Sequence, residues 1–342
     1  KAEQAWALAV ILLQPASIII DHGHFQYNCI SLALATAAVG AVVRGWDVVG
    51  SVLYCMAFNH KHMALYYAPA FFGHLFGKCL QRRRPVLQVL RLGVAVVGTC
   101  AVCWWPFLSS WEVAAQVLHR LVPLARGVFE DHVANFWCVS SVVIKWKQLI
   151  ATSSMATVAL VCTVAACLPA MVQQIRAPST NGFLLALVNS SLGFYLFAFQ
   201  VHEKNILLAA LPVTLLALTE PELLRWFIPL VTFSMTPLLR REGLLIATGA
   251  LLLLFAAMYP MLIASRASEP SFTRPQVVAG WTSFFVAVSV LVVQEVVEPP
   301  ARYPYLYSTV IVAFSFVHIA AFAAYGNWRQ WTMACSSRSK SE

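Results

Sequence analysis

Apolar runs of about 15–22 residues recur along almost the whole chain, and no other feature restricts its fold so sharply. A helix of about 20 apolar residues crosses a bilayer, because lipid offers the backbone no hydrogen-bond partner and a helix satisfies its own groups. Hydropathy places about twelve such segments, near 5–20, 29–43, 47–59, 64–80, 91–109, 152–172, 183–200, 205–219, 223–238, 244–264, 278–296 and 305–325. The third and eighth are short, as expected of tilted, broken or partly inserted helices. Charged residues make up only 11% of the 342, against roughly 25% in a soluble domain. The fold expected is therefore all-α: one polytopic transmembrane helical bundle over 1–329, with a long loop at 110–151 and a polar cytoplasmic tail at 330–342.

The net charge of +9 does not point to nucleic acid, since the basic residues sit in short loops between apolar runs and form no stripe interleaved with aromatics. The nine cysteines are odd in number and mostly lie within apolar runs, so no disulfide framework follows. Cys100 and Cys103 form a CxxC inside the apolar run Leu92–Leu108 and read as small packing residues, not a redox or zinc pair.

The densest basic cluster, Gln81-Arg82-Arg83-Arg84-Pro85 continuing to Arg91, belongs on the cytoplasmic side. Strict alternation then puts Arg44, Arg176, Arg266, Arg274 and the tail with Arg338 and Lys340 on that side. Arg240 and Arg241 fall on the other, against the rule. Four polar segments emerge on the non-cytoplasmic face: Asp21–Asn28, Asn59–His62, Phe129–His132 and His202–Lys204. Ionisable groups at span ends demand partners or water, so their gathering on one face marks a candidate site.

Asp21-His22-Gly23-His24-Phe25-Gln26-Tyr27-Asn28 packs an acid, two imidazoles, two amides and a phenol between two apolar runs. An ordinary helix cap needs one Asp or Asn, so a corner that hydrogen-bonds a sugar or phosphate is the better reading. Metal ligation by Asp21, His22 and His24 is a weaker one. His202-Glu203-Lys204 sits with almost no loop around it. A Glu–Lys pair is the bland explanation; the functional one uses His202 and Lys204 to neutralise a departing phosphate. In the long loop, Arg126, Glu130 and Asp131 are candidates beside aromatics that read as interfacial anchors. Lys61, between His60 and His62, is either a site residue or a snorkelling lysine. His74 and His318, alone in apolar runs, read as packing histidines, and Glu295 and Glu298 as span-end charges.

Taken together, these motifs resemble the endoplasmic reticulum glucosyltransferases that elongate the dolichol-linked N-glycan precursor. The likeness rests on DHGHFQYN (Asp21–Asn28) and VHEK (Val201–Lys204), which resemble the signatures of both glucosyltransferases of that family. MALYYAPAFF (Met63–Phe72) and ARGVFEDHVANFWC (Ala125–Cys138) favour the first, which adds the initial glucose to the nine-mannose precursor. The resemblance runs from residue 15 to about 210, and His132, where a lysine is usual, departs from it.

The resemblance implies a GT-C membrane fold facing the ER lumen. It also implies inverting α-1,3 transfer of glucose from dolichyl-phosphate-glucose to dolichyl-diphosphate-linked Man9GlcNAc2. The expected partners are those two lipids and membrane lipid, with no nucleic acid, no cofactor and no metal. His202, Lys204 and Arg126 would hold the donor phosphate, while Asp21, His22, His24, Gln26, Asn28, Lys61, Glu130, Asp131 and Glu203 would shape the site. The general base is expected in a first lumenal loop upstream of residue 1, so this chain alone is expected to be inactive. The alternatives are the second glucosyltransferase of the same pathway, acting on Glc1Man9GlcNAc2, and a non-enzymatic multi-span transporter.

Overall fold

The computed structural model describes residues 2–121, 132–265 and 273–338. Among these, every regular element is a helix, as a chain with so few water-facing groups requires. In chain order, α1 is Ala2–Leu12, α2 Pro15–Ile18, α3 Asn28–Val43, α4 Asp47–His60, α5 Ala68–Leu80 and α6 Pro85–Trp104. Within the long loop lie α7 (Trp111–Leu121), α8 (Phe136–Ser140) and α9 (Trp146–Leu149). There follow α10 (Thr152–Arg176), α11 (Thr180–Phe197), α12 (Leu207–Leu215), α13 (Pro221–Ser234), α14 (Thr236–Arg241), α15 (Leu245–Ala264), α16 (Arg274–Val296) and α17 (Leu306–Arg338).

A helix lies over each of the apolar segments expected from hydropathy. Among the described residues, seven helical segments are long and apolar enough to cross a membrane: Ala2–Gly23, Pro85–Phe107, Thr152–Arg176, Thr180–Phe197, Leu245–Ala264, Arg274–Val296 and Leu306–Met333. The protein is thus an all-α, multi-pass membrane protein. The expected boundary at 329/330 is not an element boundary: α17 continues to Arg338, because the polar residues there include no helix breaker.

The centre of the bundle is α11, buried along most of its length and packed against α5, α10, α12 and α17. Around it lie two apolar cores, one including Tyr195, Phe227 and Leu239, the other including Tyr67, Phe71 and Phe183. In contrast, α6 and α16 have no buried residue and present valine- and phenylalanine-rich faces outward. Where α5 meets α10, Gly73 and Gly77 repeat at i, i+4, the small-residue spacing that lets two helix backbones touch.

Several polar groups inside the bundle are linked in chains. His74 Nδ1 contacts Gln174 Oε1 at 2.8 Å, and Gln330 donates to Gln173 Oε1 at 2.7 Å while accepting from Asn189 at 2.7 Å. His318 contacts Ser283 Oγ and the Phe314 carbonyl, each at 2.8 Å. Both histidines are the packing residues that their isolation in apolar runs suggested. Glu295 pairs with Arg240 at 3.3 Å, in keeping with a charge at a span end.

Candidate functional site

The first polar corner follows from a broken helix. Pro15, which lacks an N–H, restarts the chain as α2, with Gln14 Oε1 accepting from the Ser17 amide at 2.5 Å. The helix then widens into a π turn over Ile19–Gly23, a form that is rare and frequent at functional sites. Asp21 sits on that turn, 7% exposed, and its Oδ1 has no hydrogen-bond partner. His22 is exposed on the same turn. Phe25 adopts φ 60°, a left-handed conformation that turns the chain sharply before Asn28 starts α3.

Three of the four polar segments meet here. Lys61, just past the end of α4, donates from Nζ to Asn28 Oδ1 at 2.5 Å and Gln26 Oε1 at 3.5 Å. Lys204 Nζ lies 3.5 Å from His24 Nε2, and the field of Lys204 reaches Lys61. His62 in turn lies within electrostatic reach of His202. The lysine charge at 61 is held below the usual lysine pKa, first by burial and then by Lys204, with Asp21 opposing. Gln200, at φ 61°, bends the chain ahead of the turn Glu203–Ile206. Successive residues of that turn serve different neighbours. Lys204 faces the first corner, whereas Glu203 lines an open cavity of about 410 Å³ with His132, Ser234, Arg241, Tyr305 and Ser308.

His132 is the part of the fourth segment that the structure places at the site; Arg126, Glu130 and Asp131 lie outside the described residues. The basic cluster is at the far end of the bundle: Asp47, at the opposite end of α4 from Lys61, pairs with Lys78 and, at 2.9 Å, with Arg82. Fourteen residues of α4 separate the two ends by about 20 Å.

The family model described as "ALG6, ALG8 glycosyltransferase family" matches residues 1–325. The chain belongs to that family. It is similar to a probable dolichyl pyrophosphate Man9GlcNAc2 alpha-1,3-glucosyltransferase of Arabidopsis thaliana, 46% identical over 98% of this chain and 64% of that protein. The dolichyl pyrophosphate Man9GlcNAc2 alpha-1,3-glucosyltransferase of Gallus gallus is 38% identical, over 93% of this chain and 67% of its own. A probable enzyme of the same name in Drosophila melanogaster is 38% identical, over 98% and 70%. The chain thus spans about two thirds of the length of these relatives.

Within this member of the ALG6, ALG8 family, the pattern of motifs did not reveal Glu242, Tyr305 or Arg241's place at the site. Glu242 Oε1 lies 2.6 Å from His24 Nδ1, brought there by the end of α14. Gly243, at φ 71°, closes that helix in a left-handed turn, and Leu244 packs against Gly23. A carboxylate on Nδ1 fixes which imidazole nitrogen faces Lys204. Glu242→Ala is expected to lower kcat about tenfold with little change in KM, and Glu242→Asp to restore part of it, as steady-state kinetics on the full-length protein would read. An equal loss in Ala and Asp variants would mean that Glu242 does not position the ring.

Proposed function

We propose that this protein transfers glucose from dolichyl-phosphate-glucose to the lipid-linked Man9GlcNAc2 oligosaccharide, forming an α-1,3 linkage with inversion. The observation that carries this reading is the convergence of Lys61, Lys204, His24 and His202, drawn from three distant segments, on one end of the bundle. Glucosyl transfer from a phosphate carrier needs cations where the departing phosphate gathers charge. An acceptor hydroxyl attacks the anomeric carbon, the bond to phosphate breaks, and dolichyl phosphate leaves with the bonding electrons. His202 and Lys204 hold the phosphate, and Arg126, outside the described residues, is a further candidate. Asp21, His22, His24, Gln26, Asn28 and Lys61 set the shape and charge of the pocket, with Glu130 and Asp131 as candidates in the long loop. No residue of this group is assigned the base that takes the hydroxyl proton.

The relatives' printed names, all specifying Man9GlcNAc2, support the first glucosyltransferase over the second. An ER membrane location with the site facing the lumen agrees with the basic cluster of Arg82–Arg84 lying about 20 Å away at the other end. The test is incubation of the full-length protein with dolichyl-phosphate-glucose and each acceptor in turn. Glucosylation of lipid-linked Man9GlcNAc2 and not of Glc1Man9GlcNAc2 is expected. The reverse preference would assign the chain to the second step, and no transfer to either acceptor would overturn the reading.

A further inference from the structure

At the end of the bundle away from the candidate site, the start of α4, the end of α5 and the start of α6 form an open cavity of about 280 Å³. Trp46, Asp47, Arg82, Gln88 and Arg91 line it. Asp47 is buried and holds the basic wall in place. It pairs with Lys78 and, at 2.9 Å, with Arg82, whose Nη1 donates to Gln88 Oε1 at 3.3 Å. A guanidinium carries five N–H donors in a planar fork, so Arg82 keeps others for a ligand. Arg91 is the informative member of the group. Arg83 and Arg84 lie in the loop, where topology alone accounts for their charge. Arg91 lies six residues past Pro85 on α6, about 9 Å along the helix axis. That helix has no buried residue, and Val86, Leu90 and Val94 around Arg91 are largely exposed. A charge set among apolar side chains needs a partner or water, and Asp47, the acid of the cavity wall, is already shared by Lys78 and Arg82. Two guanidiniums lining one cavity repel each other, and an anion between them relieves that. A phosphate matches guanidinium forks in geometry as well as in charge. Trp46 is 61% exposed, and tryptophan at a span end sits at headgroup level. The valine- and leucine-rich outer face of α6 continues from the cavity along the span, a surface suited to acyl chains.

We propose that this cavity holds the headgroup phosphate of an anionic phospholipid, with Arg82 and Arg91 on the phosphate oxygens and the acyl chains along α6. Basic pockets between membrane helices take anionic headgroups in this way. The site stands at the opposite end of α4 from Lys61 and goes beyond the glucosyl-transfer reading, on which it does not depend.

Full-length wild type, Arg91→Gln, Arg91→Lys and Arg83→Gln are purified in detergent and titrated with phosphatidylinositol, phosphatidylcholine and inorganic phosphate. Native mass spectrometry of the lipid-bound protein gives a Kd for each lipid, and the rise in Tm on addition compares the lipids with inorganic phosphate. Wild type is expected to bind phosphatidylinositol more tightly than phosphatidylcholine. Arg91→Gln is expected to weaken phosphatidylinositol binding about tenfold, the loss of one charge-assisted hydrogen bond, and to abolish the preference between the lipids. Arg91→Lys keeps the charge but not the fork, and is expected to retain part of the affinity. Arg91 is an exposed side chain on an outward-facing helix, so these variants keep the fold. Arg83→Gln removes a loop charge that does not line the cavity and is expected to bind as wild type does. Equal affinity of wild type for the two lipids, or a preference that survives in Arg91→Gln, would overturn the site. So would an equal loss in Arg83→Gln, which would reduce the effect to diffuse surface charge. A rise in Tm with inorganic phosphate as large as that with phosphatidylinositol would assign the cavity to free phosphate and overturn the lipid. None of these measurements involves glucose transfer, so a failure here leaves the transfer reading where it stands.

Discussion

Replacing Lys204 with alanine is expected to lower kcat/KM for glucosyl transfer by about 10²- to 10³-fold, the usual loss when one preorganised stabiliser of transition-state charge is removed. The phosphate leaving the anomeric carbon gains charge as the bond breaks, and a fixed ammonium in a half-buried pocket stabilises it far more than one in water. Lys204 is fixed in three ways: by the turn that carries it, by its contact with His24 Nε2 at 3.5 Å, and through His24 by Glu242. Arginine at the position retains charge but not the compact ammonium, so Lys204→Arg is expected to recover only part of the loss.

A second readout separates this role from simple damage to the fold. Lys204 helps to depress the pKa of Lys61, after burial and against the pull of Asp21. Protonated Lys61 is lost as pH rises through that lowered pKa, so an alkaline limit on activity is expected. Removing Lys204 removes a repulsion, so the pKa of Lys61 rises and the alkaline limb of the residual activity moves to higher pH. Rate–pH profiles through the alkaline limb would read both effects. A loss of less than threefold, or an alkaline limb that stays where it is in wild type, would take Lys204 out of the phosphate pocket.

The helices were legible in the sequence for a strong physical reason. Lipid leaves the backbone of an apolar run no other way to satisfy its N–H and C=O groups, so runs such as Thr152–Arg176 and Arg274–Val296 have one available form. What hydropathy does not encode is where a helix breaks. The π turn under Asp21 follows the restart at Pro15 and ends at Gly23, which lies against Leu244, a neighbour more than 200 positions away.

The same distinction divides the site. Alternating helices put the Asp21, Lys61 and His202 segments on one face, and the structure brings those three into contact. Glu242 escaped because its partner His24 is remote in sequence and the Arg-Arg-Glu-Gly interruption carries no motif. Arg241 looked like a basic residue on the wrong side of the membrane. In the structure it lines the cavity with Glu203, a placement that the count of basic residues by loop does not encode. Tyr305 looked like the end of a span, and only the fold places its ring beside His132.

Gly77→Leu is expected to prevent the bundle from holding together, even though it touches no residue of the site. A Cβ at Gly77 would stand 2.4 Å from the Gln174 carbonyl oxygen, 2.8 Å from that of Ile175 and 2.9 Å from Ile175 Cα. These are backbone atoms of α10, so no side-chain rotation relieves the clash; the two helices must separate. At Gly73, one turn earlier, a Cβ would stand 2.8 Å from the Met171 carbonyl oxygen, so separation undoes a seam of two turns. The movement would also disturb the amide chain from His74 through Gln174 and Gln173 to Gln330, whose buried groups have no water to turn to. Overpacking by even a methyl group destabilises by about 1–3 kcal/mol, so Gly77→Ala is expected to lower the Tm of the full-length protein in detergent by about 5 °C. The leucine variant is expected to fail to yield folded protein. Gly98 supplies the control, because nothing stands within 4 Å of a Cβ there on the outward-facing α6. Gly98→Leu adds the same side chain to a helix with a free surface, and its Tm is expected to match wild type. If Gly77→Leu and Gly98→Leu melt alike, the glycine pair is not what holds α5 to α10.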